Sequence, residues 1–189
     1  MNLRPLLILL GLLVLLSGAV FYFLKFSTKA LEEKRPQLWS LKEDQIEGLQ
    51  IDLPQEKRSV AFFLGKNEKW YFKDQPEKEV ERQRWGGVPT LVSGPKAKRM
   101  IAETSGDLRP FGLNPPYMIV TLGIRNQKVP LIIQFGNQTP QGDQYYVKIK
   151  GQPAIYIMPK EYCDVLMRLA QDPPYPPAAK SIEGKKDRP

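Results

Sequence analysis

Apolar and polar residues alternate along short segments of the chain, a pattern typical of β-strands that bury one face. Within 46–53, for example, Leu49, Ile51 and Leu53 fall on the same side of an extended chain. Polar turns separate neighbouring segments, which predicts that the segments pair as hairpins. The other segments with this pattern are 60–64, 70–72, 117–124, 129–135, 144–150 and 154–158. Pro130 indicates that the strand at its position starts at a sheet edge.

Near the C-terminus the apolar period lengthens from two residues to the period of a helix. One stripe there consists of Tyr162, Val165, Leu166 and Leu169. The spacing predicts an amphipathic helix that lies across the sheet. Pro159 suits its first turn, and the helix must end before Pro173. Cys163 falls inside this helix, so we expect a buried and unreactive thiol.

The segment 74–116 is interrupted by glycine and proline residues, and we expect a helix in it only over 96–103. Its most constrained part is Phe111-Gly112-Leu113-Asn114-Pro115-Pro116. Gly112 permits a positive φ angle, and Pro115 with Pro116 holds the chain extended before the next strand. We expect this loop to have a structural use rather than to bind a ligand.

The N-terminal part is different, because an uncharged apolar run covers 6–24, with Arg4 before it and Lys25 after it. As a helix this run reaches about 28 Å, close to the thickness of the hydrocarbon core of a bilayer. A cleaved signal peptide is the alternative, with the small residues at 17–19 as its cleavage site. Because the apolar run continues past them and ends in aromatic residues, we favour an uncleaved transmembrane anchor over 1–25.

These patterns predict an anchor at 1–25, a linker at 26–37, a globular α+β domain at 38–170 and a Pro-rich tail at 171–189. We expect the domain to consist of curled antiparallel sheets of hairpins, with the C-terminal helix packed on the sheet. The composition of the tail predicts disorder, and docking of Tyr175 and its neighbouring prolines on a partner is the alternative.

The composition restricts the chemistry of the chain. Its 42% hydrophobic and 25% charged residues are the balance of an ordinary folded protein. The chain has no histidine and one cysteine, and it lacks the common phosphate-binding and nucleophile motifs. We therefore predict no catalytic residue, no metal and no cofactor.

The net charge of +8 raises the question of a negatively charged partner. Basic residues are mixed with acidic ones, however, as over 77–84, which is typical of a solvated surface. We predict no binding to nucleic acid. The predicted partners are the lipid bilayer and a membrane protein.

Several short motifs resemble a bacterial family, the "domain of unknown function 4340" group, in order over about 38–169. They are Trp70-Tyr71-Phe72, Phe111-Gly112-Leu113-Asn114-Pro115, Ile133-Gln134-Phe135-Gly136-Asn137, Tyr145-Tyr146-Val147 and Ile155-Tyr156-Ile157. The resemblance implies an α+β module of curled antiparallel sheets. It also implies a membrane tether, an association in some members with components of ABC transporters, and no established catalytic residues to carry over.

The orientation of the anchor is open to two interpretations. The basic residues that follow the apolar run place the domain in the cytoplasm by the positive-inside rule; they are Lys25, Lys29, Lys34 and Arg35. The family resemblance implies a domain outside the cytoplasm, and we expect this second orientation, in a bacterial-type inner membrane.

Three functions follow as hypotheses. The first is a non-catalytic interaction module, an accessory or assembly factor of a larger membrane complex, with a transport complex as one candidate. The second is a binding protein for a polysaccharide or another envelope ligand that uses exposed Tyr145, Tyr146, Tyr156 and Trp85. The third is an enzyme of unknown type. The residues with a predicted structural or interaction role are Phe111, Gly112, Leu113, Pro115, Trp85, Tyr145 and Tyr175.

Overall fold

The computed structural model describes residues 4–33, 35–103 and 106–177. Side chains are described over 9–25, 35–101 and 106–177. The chain divides into two compact units, Met1–Pro36 and Gln37–Pro189.

The first unit contains helix α1, Arg4–Glu33. In the part of the chain that the structure describes, no helix combines the length and the apolar character needed to cross a membrane. The transmembrane helix predicted at 1–25 is therefore not confirmed. The helix also continues to Glu33, so most of the predicted linker at 26–37 is helical.

The second unit is built on one antiparallel sheet of eight strands. The strands are β1 Ile46–Leu53, β2 Arg58–Leu64, β3 Trp70–Phe72, β4 Arg99–Glu103, β5 Met118–Ile124, β6 Leu131–Gln138, β7 Gln144–Ile149 and β8 Ala154–Pro159. Their order across the sheet is β3-β2-β1-β5-β6-β7-β8-β4. The helices of this unit are α2 Arg82–Trp85, α3 Val88–Ser93 and α4 Lys160–Gln171. The α+β class, the hairpins and the C-terminal helix are confirmed.

Helix α4 lies on one face of the sheet, which we call the inner face. It packs against β1 and β2 on one side and β7 and β8 on the other. Because β5 and β6 lie between these two pairs in the sheet, the sheet curls around the helix. The predicted curled sheet is thus observed.

The buried face of α4 is shifted around the helix by about one residue from the apolar stripe that the sequence predicts. Val165 is 38% exposed, at the border of the contact. The buried residues of the helix are Cys163, Leu166, Met167, Leu169 and Ala170. Cys163 is buried as predicted, and burial raises the pKa of its thiol, which keeps the thiol protonated and inert.

Two predictions for the middle of the chain are wrong. The residues Arg99–Glu103 form strand β4, which pairs with β8, and do not form the helix predicted at 96–103. Helical propensity in this segment is overridden by backbone pairing with a neighbouring strand. Pro130 does not mark a sheet edge, since β6 lies between β5 and β7. It precedes the first residue of β6, where a missing N–H costs no ladder bond.

The opposite, outer face of the sheet is covered at one end by the loop around Phe111. Tyr146 and Ile157 are directly opposite each other on β7 and β8 and so share this face. The Phe111 ring meets the Tyr146 ring edge-on, with centroids 5.2 Å apart. Ile155, Ile157 and Leu113 are all buried. The loop thus shields a small second core on the outer face.

The tail predicted to be disordered from 171 is packed over its first residues. The backbone N–H of Glu81 donates to the carbonyl of Pro174 at 2.8 Å. The Tyr175 ring stacks on Phe72 with centroids 4.2 Å apart, and an Arg84 Nη donates to Asp172 Oδ2 at 2.5 Å. The rest of the predicted tail, 178–189, lies outside the described residues.

We predict that Gly136→Ala destabilises the domain by about 1–3 kcal/mol or more, as overpacking of a tight contact does. A Cβ at this position would lie 2.1 Å from the backbone carbonyl oxygen of Phe111, so the loop would have to move. Urea denaturation of the full chain measures the change in the free energy of unfolding.

The matched control is Gly48→Ala, also a glycine in a strand of the same sheet. Its Cβ would make an ordinary contact, 3.6 Å from the Cα of Gly123, and we expect a change of less than about 1 kcal/mol. If the two substitutions lowered the free energy of unfolding equally, the close contact between Gly136 and the Phe111 loop would be contradicted.

Candidate functional site

A cavity of about 370 Å³ lies at the end of strands β5, β6 and β7. We call it the tyrosine cavity; its lining residues are Tyr117, Gly136, Asn137, Gln138 and Tyr145. Tyr117 directly precedes β5, and its backbone N–H donates to the carbonyl of Phe135 at 2.8 Å. The pairing of β6 with β7 shifts register between Phe135 and Gln138. Such a bulge bends a strand and redirects its side chains, which places the residues of β6 around the cavity.

The Phe111 loop supports the cavity from behind. A Cβ on Gly112 would lie 2.3 Å from Cγ of Asn137, and one on Gly136 would overlap Phe111. Gly112 has φ +63°, the left-handed conformation that the sequence predicts. Gly112 of the Phe111 loop and Gly136 of the β6 bulge therefore allow the two segments to touch. This contact fixes the position of Asn137.

Hydrogen bonds link Tyr117 to the end of helix α4. The Tyr117 hydroxyl donates to Glu56 Oε1 at 2.7 Å. The Gln171 side chain donates to the same oxygen at 3.0 Å, and an Arg58 Nη donates to the backbone carbonyl of Gln171 at 2.6 Å. Tyr117 is therefore bound by Glu56 in the turn that follows β1, and Glu56 in turn is bound by Gln171 of α4.

These bonds fix the protonation states of both partners. The hydrogen bonds from Tyr117 and then from Gln171 hold the pKa of the Glu56 carboxyl below its usual value. The hydrogen bond to Glu56, followed by desolvation, raises the pKa of Tyr117 to about 12. At neutral pH the cavity thus contains a protonated Tyr117 hydroxyl that donates to a carboxylate.

The second tyrosine of the cavity is held by its own strand pair. Gln138 lies opposite Tyr145 on β6 and β7, and its side-chain amide donates to the Tyr145 hydroxyl at 2.8 Å. Tyr145 is only 7% exposed. Its ring is therefore fixed in the wall of the cavity.

The structure places the predicted interaction residues at two distant positions. Phe111, Gly112, Leu113 and Pro115 belong to the loop behind the tyrosine cavity, and Tyr145 lines it. The peptide bond before Pro115 is cis. Trp85 and Tyr175 instead join an aromatic cluster beside β3. Its neighbouring ring pairs are Phe62 with Phe72 and Trp85, Trp70 with Trp85, and Phe72 with Tyr175.

The aromatic residues that the polysaccharide hypothesis uses are mostly packed. Trp85 is 6% exposed, Tyr146 packs against Phe111, and Tyr156 packs against the main core. Of the four, Tyr145 lines the tyrosine cavity. Sequence reasoning missed Tyr117, Gln138 and Glu56. These residues could have been found only from the hydrogen bonds that their side chains make. No local pattern in the sequence shows which residue a tyrosine at the start of a strand will bind.

A second concave surface lies on the outer face of the sheet between β2, β1 and β5. We call it the outer notch; its volume is about 160 Å³, and its lining residues include Gly48, Gln50, Ala61, Thr121, Gly123 and Pro130. Gly48 lies opposite Gly123 on one side and opposite Phe63 on the other. The two glycines have no side chains, so the floor of the notch is backbone, and Ala61, Lys73 and Pro130 lie around it.

Neither surface is a metal site by composition. Over the residues that the structure describes, no three His, Cys, Asp or Glu side chains are grouped so that they could hold a metal ion. The side chains of the tyrosine cavity are phenols and amides, with the Glu56 carboxylate bound behind Tyr117.

We predict that Tyr117 ionises near pH 12 and not near its ordinary value of 10. Since its pKa is raised in the folded state, the stabilisation from its hydrogen bond is complete below pH 10 and is lost as the pH rises through about 12. The phenolate absorbance of the wild type minus that of Tyr117→Phe isolates this transition.

The control for this titration is Glu56→Gln, which removes the carboxylate but keeps a hydrogen-bond acceptor. We expect it to move the transition of Tyr117 back towards pH 10, because the phenolate no longer lies beside a negative charge. Circular dichroism at each pH shows whether the domain is still folded. A wild-type transition near pH 10 in folded protein would contradict the bond to Glu56.

The comparison with curated proteins gives no match, and the comparison with solved structures gives none. One family model matches, described as "Domain of unknown function (DUF4340)", over residues 90–172. The matched part contains strands β4 to β8, helix α4 and the lining of the tyrosine cavity. The motif at 70–72 lies outside it. The resemblance that the sequence motifs predicted is thereby confirmed over residues 90–172, the part of the chain that matches the model of this family of unknown function.

Proposed function

We propose that the domain is a non-catalytic interaction module, an accessory or assembly factor of a larger membrane complex, that binds a partner protein on its outer face. The outer notch is the observation that supports this proposal. An antiparallel sheet with one face on the core normally presents polar side chains on the other face. Here several outward positions are apolar.

The register of the sheet identifies these outward positions. Asp52 on β1 faces outward, since the residues before and after it on the strand are buried. Ile119 lies directly opposite Asp52 on β5, and Ile132 lies opposite Thr121 on β6. Together with Phe63 and Ala61 on β2, they form a half-buried apolar surface around the notch. An apolar patch of this kind marks an interaction site.

The shape of the notch indicates what enters it. Its floor is backbone at Gly48 and Gly123, and Ala61, Lys73 and Pro130 are among the residues around it. Phe63 lies beside it, opposite Gly48 on β2. Such a floor accepts a large apolar side chain that reaches the sheet. Buried aromatic or aliphatic anchors in pockets of this kind dominate the binding energy of protein interfaces. We therefore propose a partner with one projecting apolar anchor residue.

The test is site-specific photo-crosslinking in cells with a photoreactive phenylalanine in place of Phe63. We expect a discrete adduct of higher mass, because Phe63 borders the notch. The matched control carries the same group at Met100, which is 47% exposed at the opposite end of the sheet. In the Phe63 variant, adding Gly48→Ala should reduce the adduct without unfolding the domain, because the added methyl fills the floor of the notch. Equal adducts from both positions, or none from Phe63, would contradict this surface.

We further propose that the first unit tethers the domain to a bacterial-type inner membrane, with the domain outside the cytoplasm. Support comes from the uncharged sequence over 6–24, which lies within the single helix α1. The orientation rests on the family resemblance.

This tether predicts that the mature protein stays in the membrane pellet after alkaline carbonate extraction. In spheroplasts, protease added outside should digest the domain while a cytoplasmic marker protein survives. Release by carbonate would contradict the tether. Protection of the domain in intact spheroplasts, with digestion after lysis, would place it in the cytoplasm.

A further inference from the structure

We infer that the tyrosine cavity binds a neutral saccharide. This inference is independent of the proposed partner-binding surface, because the cavity and the outer notch share no lining residue. It rests on the hydrogen-bonding capacity left at two fixed hydroxyls, on the absence of a free charge in the lining, and on the rigid support of the cavity.

The two tyrosine hydroxyls have complementary capacities. Tyr145 uses an oxygen lone pair to accept from Gln138, and over the described residues its hydrogen has no acceptor. Tyr117 uses its hydrogen to donate to Glu56, so its oxygen is left as an acceptor. A ligand with neighbouring hydroxyl groups can accept from Tyr145 and donate to Tyr117. Adjacent hydroxyls of this kind are the defining feature of a sugar ring.

The remaining lining favours a neutral, partly apolar ligand. Asn137 and Gln138 are exposed amides at the cavity and carry both donors and acceptors. The tyrosine rings offer apolar faces to the C–H groups of a sugar. No charged side chain is among the lining residues. Behind Tyr117, Glu56 accepts from Tyr117 and Gln171 and lies 3.7 Å from Arg58 Nε. Arg58 and these hydrogen bonds already compensate the charge of Glu56, so the lining favours a neutral ligand.

The cavity is held in place before any ligand arrives. Gly136 and Gly112 bring the Phe111 loop into contact with the floor, and Glu56 holds Tyr117 from the other side. A site whose side chains are already fixed loses little conformational entropy on binding. The volume of about 370 Å³ falls in the range of about 300–1,000 Å³ of small-molecule sites.

The test is calorimetric titration of the full chain, in a detergent without a sugar headgroup, with maltotriose and separately with tri-N-acetylchitotriose. We expect saturable binding of at least one of them at millimolar concentration. Binding of maltotriose shows recognition of hydroxyls alone. Binding of the acetylated sugar alone shows that the amides of Asn137 and Gln138 also contact the acetamido group. No saturable binding of either sugar to folded protein would overturn the inference.

The variants separate the cavity from the rest of the surface. Tyr145→Phe should weaken binding at least tenfold, because it removes the donor to the ligand and leaves the Gln138 amide without its partner. Tyr146→Phe is the control, since the adjacent hydroxyl lies on the outer face and its ring contact with Phe111 is kept. It should change the dissociation constant less than twofold. Thermal unfolding of both variants shows whether they fold, and equal effects of the two on binding would overturn the inference.

Discussion

The packing of helix α4 inside the curled sheet is the interaction on which the rest of the domain depends. The helix is the last regular element that the structure describes, yet it contacts β1 and β2, the first strands of the sheet, as well as β7 and β8. Small residues on its buried side, Cys163 and Ala170, allow the helix backbone to approach the strands. Because strands from both halves of the sheet close on one helix, the positions of β5 and β6 between them are fixed as well. The tyrosine cavity forms where these strands end.

Much of this architecture can be predicted from the sequence, because each part of it has a local cause. Alternation of apolar residues gave the strands β1, β2, β5, β7 and β8 with small errors at their ends, since an antiparallel sheet with one buried face requires that period. The spacing of apolar residues around Leu166 predicted helix α4. The left-handed conformation of Gly112 followed from glycine in a proline-rich loop.

The errors arose where non-local pairing determines the structure. The residues of β4 favour a helix by propensity, and they are extended because β8 offers free backbone groups beside them. Tyr175 has no local signal for its packing; its ring stacks on Phe72, and 37% of the residue stays exposed. The tyrosine cavity has the same origin. Glu56 is separated from Tyr117 by 61 residues and from Gln171 by 115, and no pattern along the chain joins positions so far apart.

The polar groups at the end of α4 connect the stability of the fold to the geometry of the cavity. The last carbonyls of a helix lack intrahelical donors and carry partial negative charge. Here two arginines supply donors: Arg58 to the carbonyl of Gln171 and Arg84 to that of Asp172. The side chain of Gln171 at the same point donates to Glu56, which in turn accepts from Tyr117. The residues that terminate the helix therefore also orient the hydroxyl in the cavity wall. A displacement of α4 would disturb the bond that orients the Tyr117 hydroxyl, so the geometry of this site depends on the main core as well as on the Phe111 loop.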